Sequence, residues 1–470
     1  MMLGNGQATP FSPDLATGFD EFAASLLGSV QRGARVVAYF RARVQDTPLL
    51  VTVLGWDEHG RLEVLAAHAA GDVPALREVV PALAPFERAI AMASLHGAPE
   101  QQHVFVPPAD AIVHEVAVGP VHAGVIEPGH FRFHCVGETV LNLEILLGYQ
   151  KRGAEAMLLS ASPARRLASA QEIAGDSTVA HTTAYCQLIE ALSGTRVSIR
   201  AHAIRAVALE LERMANHVGD IGALAGDIGY QPTAALCGRL RGAVLNVTAQ
   251  LCGNRFGRWL LTPGGVRVDV LEPTAQQMLA RLDPAVEQFL SAAERFLDTP
   301  GVLHRLEGTA KLATETAALL GLVGVAARAS GLPRDVRQDY PFGCYALHQV
   351  PIANASDGDV FARALVRRIE AGRARDFVSE MLRQLPEGEI ARPVEPLRPR
   401  VLAASLVEGW RGEVAHVAIT DGAGRLAHYS IVDPSRHNWS AVSAAMSGQQ
   451  ISDFPLTNKS FNLSYAGHDL

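Results

Sequence analysis

From Val207 onward the apolar residues Leu211, Met214, Val218, Ile221, Leu224 and Ile228 recur at steps of three and four. That spacing lines one face of a helix, so the middle of the chain is predicted to carry a long amphipathic helix that must bury its stripe against others. The two ends read differently. Arg35–Phe40, Leu49–Leu54 and Leu62–Ala66 have strand character, with Asp57-Glu58-His59-Gly60 as a hairpin turn. Arg411–Ile419 and Leu426–Ile431 repeat the pattern late in the chain, hinged on Asp421-Gly422-Ala423-Gly424. Together these predict an α+β protein: a small N-terminal α/β module, then a large, mainly helical domain with β-sheet segments at both of its ends. The paired prolines of Val106-Pro107-Pro108-Ala109-Asp110 keep the chain extended, which places a linker over 107–118 between a module at 1–106 and a domain at 119–470.

A chain of 470 residues, 48% hydrophobic and 19% charged, can bury the core of two or three domains. Its net charge of −7 offers no basic face for nucleic acid. The five cysteines, Cys135, Cys186, Cys237, Cys252 and Cys344, are scattered singly and form no CxxC pair. That argues against an all-cysteine iron–sulfur or zinc site within the chain, and for reduced, mostly buried thiols in a cytosolic protein. The N-terminus lacks a basic-then-apolar signal segment, and the apolar run Ala317 to Ala327 is about half of what a bilayer crossing needs. Membrane association is therefore expected only through partners.

Several ordered blocks point further. Gly119-Pro120-Val121-His122-Ala123-Gly124-Val125-Ile126-Glu127-Pro128-Gly129-His130-Phe131-Arg132-Phe133 packs glycine and proline densely enough to force tight turns. Leu147-Gly148-Tyr149-Gln150-Lys151-Arg152-Gly153, the run from Glu172 to Glu190, Leu260-Leu261-Thr262-Pro263-Gly264-Gly265-Val266, the segments 329–342 and 358–370, and the tail from Asp453 to Leu470 follow. In this order they resemble the large subunit shared by group 4, energy-converting, formate-hydrogenlyase-type [NiFe] hydrogenases and respiratory complex I. Pro85-Phe86-Glu87-Arg88-Ala89-Ile90 is similar to the signature of the complex I 30-kDa subunit, which hydrogenases of that type carry fused at their N-terminus.

The resemblance implies the fold and also a loss. The family's first metal-ligand motif reads Ile-Cys-Gly-x-Cys, and here Ala174 and Ser177 stand at the thiolate positions of Ile173-Ala174-Gly175-Asp176-Ser177. Nickel and iron need soft, deprotonated sulfur, which neither a methyl group nor a hydroxyl supplies. The tail resembles the pattern that runs up to the second pair, Asp-Pro-Cys-x-x-Cys, and reads as stopping just before it. No [NiFe] centre and no other cofactor is expected within the chain. Complex I uses the same cavity for a quinone, with a tyrosine and a histidine; no tyrosine falls in Arg165–Ser177, and the loop at 119–133 follows the hydrogenase form.

Glu127 stands where the hydrogenases keep the carboxylate that passes protons to and from the metal. Asp176, beside the lost ligands, is either a proton-linked switch or, with Ser177, an ordinary N-cap of the helix from Val179 to Leu192. His181 is expected in the same cavity, whereas His217, beside the apolar stripe, reads as a hydrogen-bonded core histidine. Arg334, Asp335, Arg337, Asp359 and Arg363 are expected to form a buried ion-pair network near the site, a solvated charged face being the alternative. The leading expectation is the large subunit of a complex I-like, hydrogenase-related membrane complex, coupling redox or protonation events to ion translocation. Its partners would be an iron–sulfur small subunit and antiporter-like membrane subunits, placing it peripherally on the cytoplasmic side of the inner membrane. The alternatives are an oxidoreductase subunit that reduces a quinone or another small acceptor, and an inert assembly scaffold.

Overall fold

A computed structural model describes residues 1–69, 71–93, 99, 103–108, 110–122 and 126–470. Ala123, Gly124 and Val125 of the glycine-rich loop, Ala109 of the proline linker, and the continuation of the Phe86 helix beyond Ala93 lie outside the described residues.

The early strands are β1 (Met2–Leu3), β2 (Gln7–Pro10), β3 (Arg35–Val44), β4 (Thr47–Trp56) and β5 (Arg61–His68). Four of them form an antiparallel sheet in the order β1-β5-β4-β3. Its hairpins close where the sequence tolerates a left-handed backbone: Gln45 and Asp46 have φ of 51° and 63°, and Gly60 has φ of 59°. The helix Phe19–Gln31 covers the sheet through Phe22 and Leu26. Next come β6 (His114–Val118), β7 (His130–Val136) and β8 (Thr139–Leu146), an antiparallel three-stranded sheet that buries Phe131 and Phe133. The block Leu260–Val266 holds a small hairpin of β9 (Leu261–Thr262) and β10 (Gly265–Val266).

The helical middle is built on Ile199–Asp227, a helix of 29 residues packed against Gln231–Cys252 and Val360–Arg383, with Glu272–Leu297 alongside. It starts before the predicted Val207 because the Ser198 side chain accepts from the Ala201 N–H at 3.1 Å, capping the first turn. Its burial exceeds the amphipathic expectation: Arg205, Glu210, Arg213, His217 and Asp220 are buried along with the apolar stripe. The last sheet joins β11 (Val401–Glu408), β12 (Glu413–Thr420) and β13 (Leu426–Val432), and its outer strand is β2, giving the order β13-β12-β11-β2. Every residue of β11 and β12 is buried, so the two central strands of this sheet are covered on both faces. One apolar core runs through the first and last sheets and the helices between them. Among the described residues no helix is long and apolar enough to cross a membrane.

Candidate functional site

The segment Ile173–Ser177 leads into the helix Thr178–Ser193, whose exposed N–H groups need acceptors. Neither Asp176 nor Ser177 supplies one, because the Ser177 side chain makes no capping bond. Glu212 reaches across from the long helix instead, accepting from Val179 N at 2.6 Å and Ala180 N at 3.1 Å.

Freed from capping, the Asp176 carboxylate forms a two-bonded pair with Arg411, at 2.7 Å to Nη1 and 2.6 Å to Nη2. The same guanidinium lies 3.4 Å from Ser177 Oγ, donates through Nε to Asn462 O at 2.5 Å, and stacks 4.0 Å above the Trp410 ring. Trp410 Nε1 and Asn216 Nδ2 both donate to the Asp176 carbonyl, at 2.8 and 2.9 Å. Six residues from four separate stretches, the pair included, thus meet around one charge pair.

One turn into the helix, His181 is fully buried. Its Nε2 is 3.0 Å from Asp433 Oδ2, and its Nδ1 is 3.1 Å from His416 Nε2, whose own Nδ1 is 2.8 Å from the Tyr429 hydroxyl. Asp433 also caps the helix Pro434–Met446, accepting from Ser435 N at 2.8 Å. Burial alone would push its carboxyl up; His181, Arg411 and Ser435 outweigh that and hold it down to about 2. Burial, reinforced by His181, pushes the His416 imidazole well below its usual value.

The tail closes the site. Arg411 holds Asn462, Ser464 Oγ accepts from Gly467 N at 2.8 Å, and the Ala466 N–H donates to Glu127 Oε2 at 3.2 Å. A Cβ on Gly467 would stand 2.5 Å from Asp433 Cγ, so only glycine lets the tail lie on that carboxylate. Glu127, Asp176 and His181 are thus each tied to the tail at residues 462–467, Glu127 directly and the other two through Arg411 and Asp433.

Glu212 has a consequence for stability. Burial pushes its carboxyl up to about 8, with the nearby Asp176 charge adding to the shift and the two amide donors opposing it. An acid raised in the fold keeps a proton that the unfolded chain has released, so stability falls as pH rises from about 4.5 to about 8. A shift of that size corresponds to a fall on the order of 5 kcal/mol across the range. Glu212→Gln is expected to flatten that slope in denaturation midpoints taken across this pH range; an unchanged slope would mean that Glu212 ionises normally.

Behind the site lies a second cluster, closed from solvent. Arg337 binds Asp335 at 2.6 Å and Glu210 at 3.2 Å; Glu210 binds Arg213 at 2.9 Å and accepts from Tyr345 Oη at 2.7 Å. Glu370 takes Arg328 and His217, both at 2.8 Å, and Arg328 reaches Glu408 at 2.8 Å. Burial would raise every carboxyl, but the guanidiniums beside Glu210, Asp335 and Glu370 win and hold these three below the usual range. Glu408, the fourth carboxyl for three guanidiniums, is pushed up by burial, with Asp335 adding to it. The cluster balances when Glu408 carries a proton.

Only two of the five residues expected in this network belong to it, Asp335 and Arg337. Arg334 donates to Leu322 O at 3.0 Å and stands 3.7 Å from Asp57. Asp359 caps the helix Val360–Arg383, accepting from Ala362 N and Gly308 N, each at 2.8 Å. Arg363 has no carboxylate within ion-pair distance among the described residues; it donates to Gly358 O at 2.8 Å and Ser460 Oγ at 2.9 Å and lies 4.1 Å over Phe461. Burial, with Arg367 nearby, pulls its guanidinium down to about 9. Linear clustering of Arg and Asp does not say which of them turn inward. Glu210, Arg213, Arg328, Glu370 and Glu408 escaped prediction as members, although Glu210 and Arg213 sit within the apolar helix where a charge signals a buried partner. His217 is the hydrogen-bonded core histidine that its place beside the stripe implied.

A family model described as the respiratory-chain NADH dehydrogenase, 49 Kd subunit, matches residues 227–398. An NADH-quinone oxidoreductase subunit of Thermosipho melanesiensis is 30% identical over 350 residues, covering 72% of this chain and 94% of that one. The chain belongs to this large-subunit family. A carbon monoxide-induced hydrogenase of Rhodospirillum rubrum is 29% identical over 343 residues, 73% of this chain and 95% of the relative, so the hydrogenase branch of the family is represented as well. Among solved structures, the membrane-bound sulfane sulfur reductase, an archaeal respiratory membrane complex, has a chain that superposes with a TM-score of 0.70. The match covers 77% of this chain and 100% of that one at 22% identity, which is a likeness of fold. The family's relatives are subunits of membrane-bound hydrogenase and complex I-like respiratory complexes.

Proposed function

We propose that this chain is the large subunit of a membrane-associated, complex I-like respiratory complex that works without a [NiFe] centre and couples protonation at its buried site to ion movement in membrane partners. The observation that carries the reading is the Arg411–Asp176 pair at Ser177, a guanidinium set against the position where the resembling motif carries a thiolate. The residues present do not suit nickel and iron. Burial pushes all five thiols up, away from the thiolate a soft metal needs, and no group of three or more His, Cys, Asp or Glu among the described residues could hold a metal. Laid over the tail, the second motif puts Ser464 and Gly467 at its cysteine positions, and both lie against the site. We therefore read that pair as replaced within the chain, rather than as falling beyond it.

In this reading the chain's own groups handle protons. Asp176 and Arg411 hold a fixed charge pair, His181 and Asp433 hold an exchangeable proton, and Glu127 is held by the tail at Ala466. Electron carriers, an iron–sulfur cluster or a quinone, would belong to a neighbouring small subunit or its interface, and antiporter-like subunits would anchor the assembly to the cytoplasmic side of the inner membrane. Residues 1–106 would serve as the 30-kDa-subunit-like module.

Metal analysis of the purified complex tests the first half: nickel well below one atom per chain is expected, and stoichiometric nickel or hydrogen turnover overturns it. Asp176→Asn tests the second. Ion transport by the assembled complex is expected to fall roughly tenfold, equivalent to about 1.4 kcal/mol in the coupled step; normal transport removes Asp176 from the coupling.

A further inference from the structure

With His181 neutral, the hydrogen bonds running from Asp433 through His181 and His416 to Tyr429 have one consistent set of proton positions. Asp433 is ionised, and its Oδ1 already accepts from Ser435 N, so its Oδ2 must accept from His181 Nε2–H. A neutral His181 then offers a bare Nδ1, which lies 3.1 Å from His416 Nε2 and obliges that nitrogen to carry its ring's proton. His416 Nδ1 is left bare and accepts from the Tyr429 hydroxyl at 2.8 Å. All three bonds point toward Asp433.

We propose that these four residues form a proton relay, built so that one added proton reverses the His181–His416–Tyr429 bonds together and comes to rest on His181. The proposal rests on reading the site as one that handles protons. A proton arriving at the Tyr429 oxygen lets Tyr429 pass its own to His416 Nδ1. His416 in turn releases Nε2–H to His181 Nδ1. The products are a neutral Tyr429, a neutral His416 in its other tautomer, and a His181 imidazolium facing the Asp433 carboxylate. One proton has entered and no covalent bond between heavy atoms has changed.

Charged and polar groups stand at both ends of the row. Arg411 faces Asp433, while Tyr185, Cys186, Glu155 and Arg166 surround Tyr429. His416 is held neutral by burial and by its neighbour His181, so it transmits charge without storing it. Ser430, the residue after Tyr429, donates to Glu155 Oε1 at 3.3 Å, and both line a cavity of about 390 Å3 together with the exposed Lys151. Burial pushes the Glu155 carboxyl up.

The test uses the full chain with 15N-labelled histidine rings and two-bond proton–nitrogen correlation spectra, with signals assigned from His181→Gln and His416→Gln. In the resting protein both rings are expected as Nε2–H tautomers, and whenever acidification places a second proton on His181, His416 is expected to have exchanged Nε2–H for Nδ1–H. His416 starting as Nδ1–H, keeping Nε2–H when His181 is charged, or acquiring two protons would each overturn the relay. If the assignment variants fail to fold, neutron diffraction from the unaltered protein reads the same hydrogens on Tyr429 Oη, His416 Nε2 and His181 Nε2. Expected tautomers alongside stoichiometric nickel would leave the relay standing and remove the metal-free reading, so the two fail separately.

Discussion

Glu370→Ala is expected to lower the free energy of unfolding by about 3–5 kcal/mol, because it removes one partner from a buried set and leaves the others charged or unsatisfied. Arg328 would lose its Nε hydrogen bond and its Nη2 ion-pair contact to that carboxylate, Arg213 a neighbour at 3.6 Å, and His217 its Nε2 partner. Each of these side chains is at most 1% exposed, so no water reaches in to compensate. With one carboxylate gone, three guanidiniums face Glu210, Asp335 and Glu408, and the last can rebalance the cluster only by releasing its proton. The stability of the variant should therefore rise with pH more than that of the parent. Denaturant midpoints at two pH values would show it. A loss below about 1 kcal/mol would place these groups in the energetic class of surface pairs.

Gly324→Ala should be comparably damaging for a different reason. The residue has φ of 64°, and a Cβ there would stand 2.0 Å from the Arg411 carbonyl and 2.3 Å from Gly412 Cα. Both obstacles are backbone, so no side-chain rotation relieves them. The left-handed penalty and the forced displacement together cost about 3 kcal/mol or more. Whatever moves must take the Arg411–Gly412 turn with it, which withdraws the guanidinium from Asp176 and from the face of Trp410. Loss of stability together with a changed Trp410 fluorescence in the folded state is the expected pair of results. Gly301→Ala, where nothing stands within 4 Å of the added carbon, serves as the control and should shift stability by no more than about 0.5 kcal/mol. Equal behaviour of the two variants would sink the argument.

The strands of the first sheet were legible because their turns carry local signals: Gly60 sits in a left-handed conformation that its residue type permits. The strand Val401–Glu408 gave no such signal. It is buried on both faces, so its sequence does not alternate. At the site, the motif around Ala174 and Ser177 could be located from one stretch of chain, and Asp176 with it. What holds Asp176 could not, since Arg411 lies 235 positions away, and the partners of His181 lie 235 and 252 positions away. Asp433 did carry the local pattern of a helix cap, Asp followed by Pro at the first helical position, but nothing in that pattern announces a second bond to a histidine. Asp359 shows the reverse: its neighbours suggested an ion pair, and the backbone of its own helix claimed it first.

The outer position of β2 bears on how the molecule is made. Gln7–Pro10 pairs with Val401–Glu408, and the Asn5 side chain bonds both main-chain groups of Leu406 across 401 positions of sequence. The ribosome makes Gln7–Pro10 well before its partner strand Val401–Glu408. Until that later strand emerges the early segment cannot take its place in this sheet, so the pairing is completed late and not along the chain. Asn5→Ala should therefore slow the last step of maturation in a pulse-chase experiment more than it weakens the finished protein.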